Sequence, residues 1–171
     1  MNLNFFGDSY DCVKRVFCTE LQVLGYEVYI DPMFTDTWES DQEKLFYALL
    51  GGVKRFQNIP PNPGKVALFL DPDTGIKETG TKKHVSLECI AVAVKEWAIV
   101  FVFDQSFSFS RDRNERMQEK LRTLNEQNCH AFYYDSHARF LFASQDQTKL
   151  VAVQTHLFNL GLPHRRIAPL L

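Results

Sequence analysis

Two apolar runs constrain this chain more than any other feature. Val66-Ala-Leu-Phe-Leu70 and Trp97-Ala-Ile-Val-Phe-Val-Phe103 show no alternation of apolar and polar side chains. A strand with one wet face alternates. A strand without alternation is covered on both faces, the mark of a parallel sheet between helical layers. Both runs stop at carboxylates, the first at Asp71-Pro72-Asp73-Thr74-Gly75 and the second at Asp104-Gln105-Ser106. In open α/β sheets, ligands bind in the crevice at the carboxyl ends of the strands. Residues 65–75 therefore mark the expected active-site edge.

The segments between these runs read as helices and further strands. Leu3 to Phe6 is a short strand ahead of Gly7-Asp8. Val13, Phe17, Leu21 and Leu24 follow at helical spacing, with Asp8 or Ser9 as cap and Gly25 as stop. Tyr26 to Ile30 is a second strand, ending at Asp31-Pro32. Ser40-Asp-Gln-Glu43 fits a capping box for a helix with Leu45, Phe46 and Leu49 inside. The proline-rich stretch 59–64 cannot continue a helix. Ile76 to His84 is a polar loop, and Ser86 caps a helix with Leu87, Ile90, Ala91 and Val94 inside. Arg111 to Gln127 is a charged helix on Met117, Leu121 and Leu124. Cys129–Tyr134 and Ala138–Ala143 flank Asp135-Ser136-His137 as a hairpin. A last helix spans Asp146 to Leu160, and 164–171 is a peripheral tail. Strands alternating with helices imply right-handed βαβ units. The expectation is a Rossmann-like three-layer α/β/α sandwich, mostly parallel, with a C-terminal antiparallel hairpin, in a single domain over 1–171.

Composition narrows the class. A net charge of -2 gives no overall basic signature of a nucleic-acid binder. Fifteen phenylalanines point to a well-filled core. Cys12, Cys18, Cys89 and Cys129 form no C-x-x-C pair and match no zinc spacing, so reduced thiols are expected. No stretch has the roughly 18 apolar residues of a membrane span, and the N-terminus lacks the pattern of a signal peptide. A cytoplasmic setting, with no membrane partner, is the default.

Strand candidates end at Asp8, Asp31, Asp71/Asp73, Asp104 and Asp135. In a parallel sheet several of these carboxylates share one edge, where they repel and desolvate one another. A divalent cation relieves that, and hard oxygen ligands suit Mg²⁺ or Mn²⁺. Such a site orients phosphate and stabilises charge on its oxygens. Asp71, Asp73 and Asp104 are the candidate metal ligands. Asp and Asn also cap helices that follow strands, so for Asp31, Asp104 and Asp135 both roles stay open.

Several families share pieces of this pattern. Asp71-Pro72-Asp73-Thr74-Gly75 resembles the D-P-D-x-x-G of Toprim domains, which hold Mg²⁺ for strand cleavage or joining. It also resembles the strand-end D-x-D of haloacid-dehalogenase-type phosphatases. Gly7-Asp8-x-x-Asp11-x-x-Lys14 is similar to the G-N-x-x-D-x-x-K-H opening of Rossmann-fold adenine-N6 methyltransferases acting on ribosomal RNA. Those enzymes carry D-P-P-Y where this chain has Asp71-Pro72-Asp73-Thr74. The resemblance implies S-adenosylmethionine or nucleotide binding. Two departures are plain: Thr74 replaces the base-stacking aromatic, and Asp31 to Asp36 holds no glycine for close backbone approach. Gly7, Asp8, Asp11, Lys14, Asp71 to Gly75, Lys83-His84-Val85 and Glu88 together resemble a group of uncharacterised bacterial proteins. That resemblance implies no activity.

Asp8, Asp11, Asp31 and Gly75 are thus candidate cofactor contacts. Lys14 reads either as an ion-pair partner of Asp11 or as a phosphate ligand facing Asp71. Lys77, Lys82, Lys83 and His84 read as a solvated loop or a phosphate-binding flap. His137 and Arg139 flank the hairpin turn, where an arginine can hold phosphate in a bidentate contact. Phe107 and Phe109 read as edge packing or base-stacking residues. The leading expectation is a Mg²⁺- or Mn²⁺-dependent phosphoryl-transfer or phosphodiester-cleaving enzyme acting on nucleic acid or nucleotide, a hydrolase or nuclease. Asp71, Asp73, Lys14, His137 and Arg139 would be its catalytic residues. The alternatives are an S-adenosylmethionine- or nucleotide-binding methyltransferase-like domain, or a non-catalytic interaction protein with that fold.

Overall fold

The computed structural model describes residues 3–56, 62–107 and 112–167. Helix α1 (Ser9–Val23) leads into strand β1 (Glu27–Asp31), then α2 (Ser40–Leu49) and the two-residue edge strand β2 (Lys54–Arg55). Strand β3 (Val66–Leu70) is followed by the short β4 (Gly75–Lys77) and β5 (His84–Ser86), helix α3 (Leu87–Ala93) and β6 (Ile99–Phe103). Helix α4 (Arg113–Asn125), β7 (His130–Tyr134), β8 (Phe140–Ser144) and α5 (Gln147–Asn159) complete the order.

Six strands form one sheet in the order β2-β1-β3-β6-β8-β7. β2, β1, β3 and β6 are parallel neighbours. β8 runs against both β6 and β7, so β7 returns to the common direction. The expected hairpin is present, with its second strand inserted between the first and the rest of the sheet. β1 has β2 on one side and β3 on the other, so the order reverses there. This is the switch point at which open α/β sheets leave a crevice.

The two apolar runs are buried along their whole length, as their lack of alternation requires. Successive side chains take opposite faces. On one face Phe69, Phe101, Phe142 and Phe132 stand in register across four neighbouring strands. Their rings lie nearly parallel, with centroids 4.6, 5.7 and 4.9 Å apart. α1, α2 and α5 cover this face through Phe17, Leu21, Phe46, Leu150 and Val153. On the other face Leu68, Val100, Val102, Tyr133 and Leu141 pack against Ile90 of α3 and Met117, Leu121 and Leu124 of α4. The result is the three-layer α/β/α sandwich, and the phenylalanine count is largely the aromatic ladder and its cover. No described helix is long and apolar enough to cross a membrane.

Local differences have local causes. Leu3–Phe5 is a 3-10 turn, not a strand, closed by Phe6 N and Asp8 N on the carbonyls of Leu3 and Phe5. The capping box of α2 uses Glu39 and Gln42, one residue earlier than expected, and it pairs the amides of those two residues with each other's side chains. Residues 76–84 are not a plain loop, because β4 and β5 pair in parallel and the Thr81–His84 bridge closes the bend between them. The described part of the tail, 164–167, is not peripheral: Ile167 is buried and bridges Tyr134, and Arg166 O accepts Asp135 N. Phe107 packs inside against Tyr133, with ring centroids 5.9 Å apart. Residues 59–61, Phe109, Arg111 and the last four positions of the tail lie outside the described residues.

Phe101 sits at the centre of the ladder and is fully buried. Phe101→Ala is expected to cost about 3–5 kcal/mol, read as a shifted urea midpoint at unchanged slope. Val23→Ala, at a side chain 67 % exposed, is expected to stay within about 0.5 kcal/mol.

Candidate functional site

The site begins at the entry to α1. Gly7 turns the chain at φ +81° and points its N–H at Asp11 Oδ2, 2.8 Å away. Asp8 caps the helix, its Oδ1 accepting Tyr10 N at 2.8 Å and Asp11 N at 3.2 Å. Asp11 and Lys14 then face inward together with Phe17, Cys18 and Leu21. Lys14 Nζ donates to Asp11 Oδ1 at 2.9 Å and, across to the end of β3, to Asp71 Oδ2 at 3.0 Å. It also lies 4.8 Å from the ring centroid of Phe103, at the end of β6. The G-D-x-x-D-x-x-K opening and the D-P-D stretch therefore meet in space, and Lys14 is what joins them.

Burial governs the chemistry of this cluster. Asp71 is 1 % exposed and Lys14 2 %. Burial alone would pull the Lys14 ammonium down, but Asp71 and Asp11 outweigh it and hold it above its usual value. Burial pushes the Asp71 carboxyl up despite the neighbouring Lys14. Two buried carboxylates share the Lys14 ammonium, and Asp71 stays under-compensated even with the added pull of the N-terminal charge. Asp11 has a donor on each oxygen. Asp71 has one on Oδ2 alone, and its buried Oδ1 has no hydrogen-bond partner. An unpaired buried acceptor costs stability unless something supplies a donor.

Above the cluster lies a cleft of about 160 Å³, bounded by the first turn of α1, the Asp71-Pro72-Asp73 loop and the end of β6. Phe5, Tyr10 and Phe103 give it aromatic walls, and Asp8, Asp71 and Asp73 give it carboxylates. Tyr10 is fixed from behind. Its hydroxyl is 2.8 Å from His137 Nε2, its ring stacks on the imidazole at 5.4 Å, and it meets Phe103 edge-on. Gln105 donates to His137 O at 2.7 Å, locking the hairpin turn onto the cleft. His137 thus supports the wall through Tyr10 and does not line the cleft.

The other strand-end residues have different occupations. Asp104 is fully buried. Its Oδ1 accepts Ile76 N and Ser106 N, and its Oδ2 accepts Lys120 Nζ at 2.9 Å and Tyr133 OH at 2.8 Å. Gly75, at φ +107°, backs onto this carboxylate: a Cβ there would overlap Asp104 Oδ1 and lie 2.7 Å from Gln105 N. Gly75 therefore allows close packing against Asp104. Asp31 Oδ1 accepts Met33 N and caps its own turn. Arg139 is buried on Asp135 at 2.9 Å, with Arg113 3.7 Å from the same carboxylate, away from the cleft. Thr74 donates to Lys83 O and ties down the 76–84 segment. None of Lys77, Lys82, Lys83 or His84 lines the cleft.

These residues do not fit a divalent cation. Among the described residues no group of three or more His, Cys, Asp or Glu side chains is arranged to hold a metal. Both Asp104 oxygens are occupied, and Asp71 already faces the Lys14 ammonium. They do not fit S-adenosylmethionine in the turn after β1 either. That turn has no glycine, and Phe34 stacks there on Trp38 with centroids 4.6 Å apart. Sequence reasoning missed Tyr10, Phe103 and Gln105 as wall residues and Lys120 and Tyr133 as the partners of Asp104. Only the position of Gln105 directly after Asp104 offered a signal. No protein-family model, curated protein or solved structure matches the chain.

Lys14→Met strands two buried carboxylates and is expected to cost about 3–5 kcal/mol, measured by chemical unfolding. Asp71→Asn removes the under-compensated charge, keeps the shape, and is expected to equal or exceed the parent in stability. The gap has a definite pH dependence. Folded Asp71 titrates above the ordinary carboxylate, so its contribution is complete below about pH 4 and is lost as pH rises through the raised value. The advantage of Asp71→Asn is therefore expected to grow from pH 4 toward 7 in parallel thermal melts. Gly75→Ala is expected to cost about 1–3 kcal/mol, from left-handed strain together with the Asp104 overlap.

Proposed function

We propose that this chain is a nucleoside- or nucleotide-binding domain that holds the base of its ligand in the cleft over Lys14 and Asp71. One observation carries the reading: Asp71, which lines an aromatic-walled cleft at the carboxyl ends of β3 and β6, keeps a buried, unpartnered oxygen. Open α/β sheets bind ligands beyond the carboxyl ends of their strands, and a desolvated carboxyl whose pKa is raised, as burial raises that of Asp71, marks a functional-site candidate. The size of the cleft supports the same reading. A cavity of roughly 150 Å³ takes one benzene, whereas drug-sized ligands fill roughly 300–1,000 Å³. About 160 Å³ admits one planar ring system and leaves sugar and phosphate outside. Aromatic faces stack on the ring, and the carboxylates accept hydrogen bonds from its edge.

The competing expectation, metal-dependent phosphoryl transfer at Asp71, Asp73 and Asp104, makes the opposite prediction. Thermal-shift titrations with nucleosides and nucleoside monophosphates, run with EDTA and with Mg²⁺ or Mn²⁺, separate the two. At a hundredfold excess over Kd, base binding is expected to raise Tm by about 5–10 °C, equally with and without metal. A shift that requires the metal, or no shift with any nucleoside, rejects the proposal.

A further inference from the structure

The cleft over Lys14 carries more negative charge than its cations answer. Asp8, Asp11, Asp71 and Asp73 line it, against one cationic side chain, Lys14. Lys14 is bonded to Asp11 and Asp71. The N-terminal charge also acts on Asp71. Four carboxylates less these two positive charges leave the wall a formal balance of -2. Gln105 adds a neutral amide to the wall and does not change that balance. Asp8 spends one oxygen on its helix cap. Among the described residues no ion pair or hydrogen bond engages Asp73, which stands half-buried on the rim.

The aromatic side of the cleft asks for the same kind of partner. Phe5 lines it and is 58 % exposed, and among the described residues no ring contact engages it. An exposed phenylalanine ring is a platform for a planar ligand. The face of an aromatic ring is the negative end of its quadrupole, so a planar partner is held more tightly when it is positive. The fold already uses this attraction once, since Lys14 Nζ lies 4.8 Å from the ring centroid of Phe103.

We propose that the cleft prefers a base that carries a positive charge, such as a ring-methylated purine, over a neutral base of the same size. This inference rests on the base-binding reading and narrows it to cationic bases. It needs no bond to the buried oxygen of Asp71. The carboxylates act through their charge across the cleft, and the rings act through their faces. Charge interactions are stronger in a partly desolvated cleft than in open water. A positive charge spread over a planar ring is more weakly hydrated than a compact ammonium, so it gives up less on entering. A 5′-phosphate would meet the same carboxylates as a like charge, which makes the free nucleoside the better probe.

The test uses the full chain, titrated by calorimetry in EDTA with two isomeric probes. 1-Methyladenosine is a cation at neutral pH, and N6-methyladenosine, of the same size, is neutral. The first is expected to bind more tightly by about tenfold to thirtyfold. Tetramethylammonium, a cation without a planar ring, separates charge from stacking and is expected to bind about tenfold more weakly than 1-methyladenosine. Asp73→Asn changes a rim side chain on which no described contact depends. It is expected to weaken 1-methyladenosine by about threefold to fivefold and to leave N6-methyladenosine within about twofold. Asp73→Lys reverses the charge and is expected to remove the preference. Equal or tighter binding of N6-methyladenosine overturns the inference and leaves the base-binding reading standing. A preference that Asp73→Lys leaves unchanged overturns it as well. Tetramethylammonium binding as tightly as 1-methyladenosine, or no binding of either nucleoside, overturns both.

Discussion

The bond from Lys14 to Asp71 and Asp11 organises this end of the molecule. It fastens the first helix to the end of a central strand, and it does so with a buried ion triplet where an apolar contact would have served stability as well or better. The remainder of the arrangement follows from holding that triplet. Gly7 must take a left-handed turn to bring its amide onto Asp11. Asp8 must cap the helix so that Asp11 and Lys14 are oriented for burial. Phe103 must lie under the ammonium. The triplet is still one donor short, because the second oxygen of Asp71 is unpaired. A fold selected for stability alone has no use for that vacancy, whereas a binding site does.

The strand-end aspartates show how one sequence pattern divides into different physical roles. Asp31, Asp71, Asp104 and Asp135 do lie along the carboxyl edge of one sheet, as a parallel arrangement dictates. They do not converge. Asp104 is neutralised by Lys120 and saturated by backbone amides and Tyr133. Asp135 is held between Arg139 and Arg113. Asp31 closes its own turn. Each of these has its cation or amide nearby. Asp71 alone shares its cation with a second carboxylate.

Much of the fold was legible for a plain reason. Apolar runs without alternation admit few arrangements, and Val66–Leu70 and Ile99–Phe103 are indeed central and covered on both faces. Helical stripes and caps located α1, α3 and α5 to within a few residues. The 3-10 turn at Leu3–Phe5, the β4–β5 pair and the docked Ile167 were not legible, because each depends on partners distant in sequence or on a turn whose local pattern also suits a strand. The site was half legible. Lys14 and Asp71 could be paired in advance because their motifs stood out, but the cleft walls could not. Tyr10 and Phe103 look like ordinary core aromatics in sequence, and what makes Tyr10 a wall is a hydrogen bond to His137, 127 positions away.

That long-range bond also explains why the antiparallel insertion bears on the site. β8 enters the sheet between β6 and β7, so the turn that carries His137 is delivered to the carboxyl edge, beside the end of β6. There Gln105 takes its carbonyl and Tyr10 takes its ring. Had β7 and β8 joined in simple sequential order, the turn would still reach that edge, but with β7 between β6 and β8. Insertion fixes the return strand against β6 through Phe103–Phe140 and the Asp104 N to Arg139 O bond. The reversed strand thus braces the aromatic wall from the side opposite the ion triplet. One brace is electrostatic and ties the first helix to the end of β3, and the other is topological and built by the last strands of the sheet. The cleft lies where the two meet.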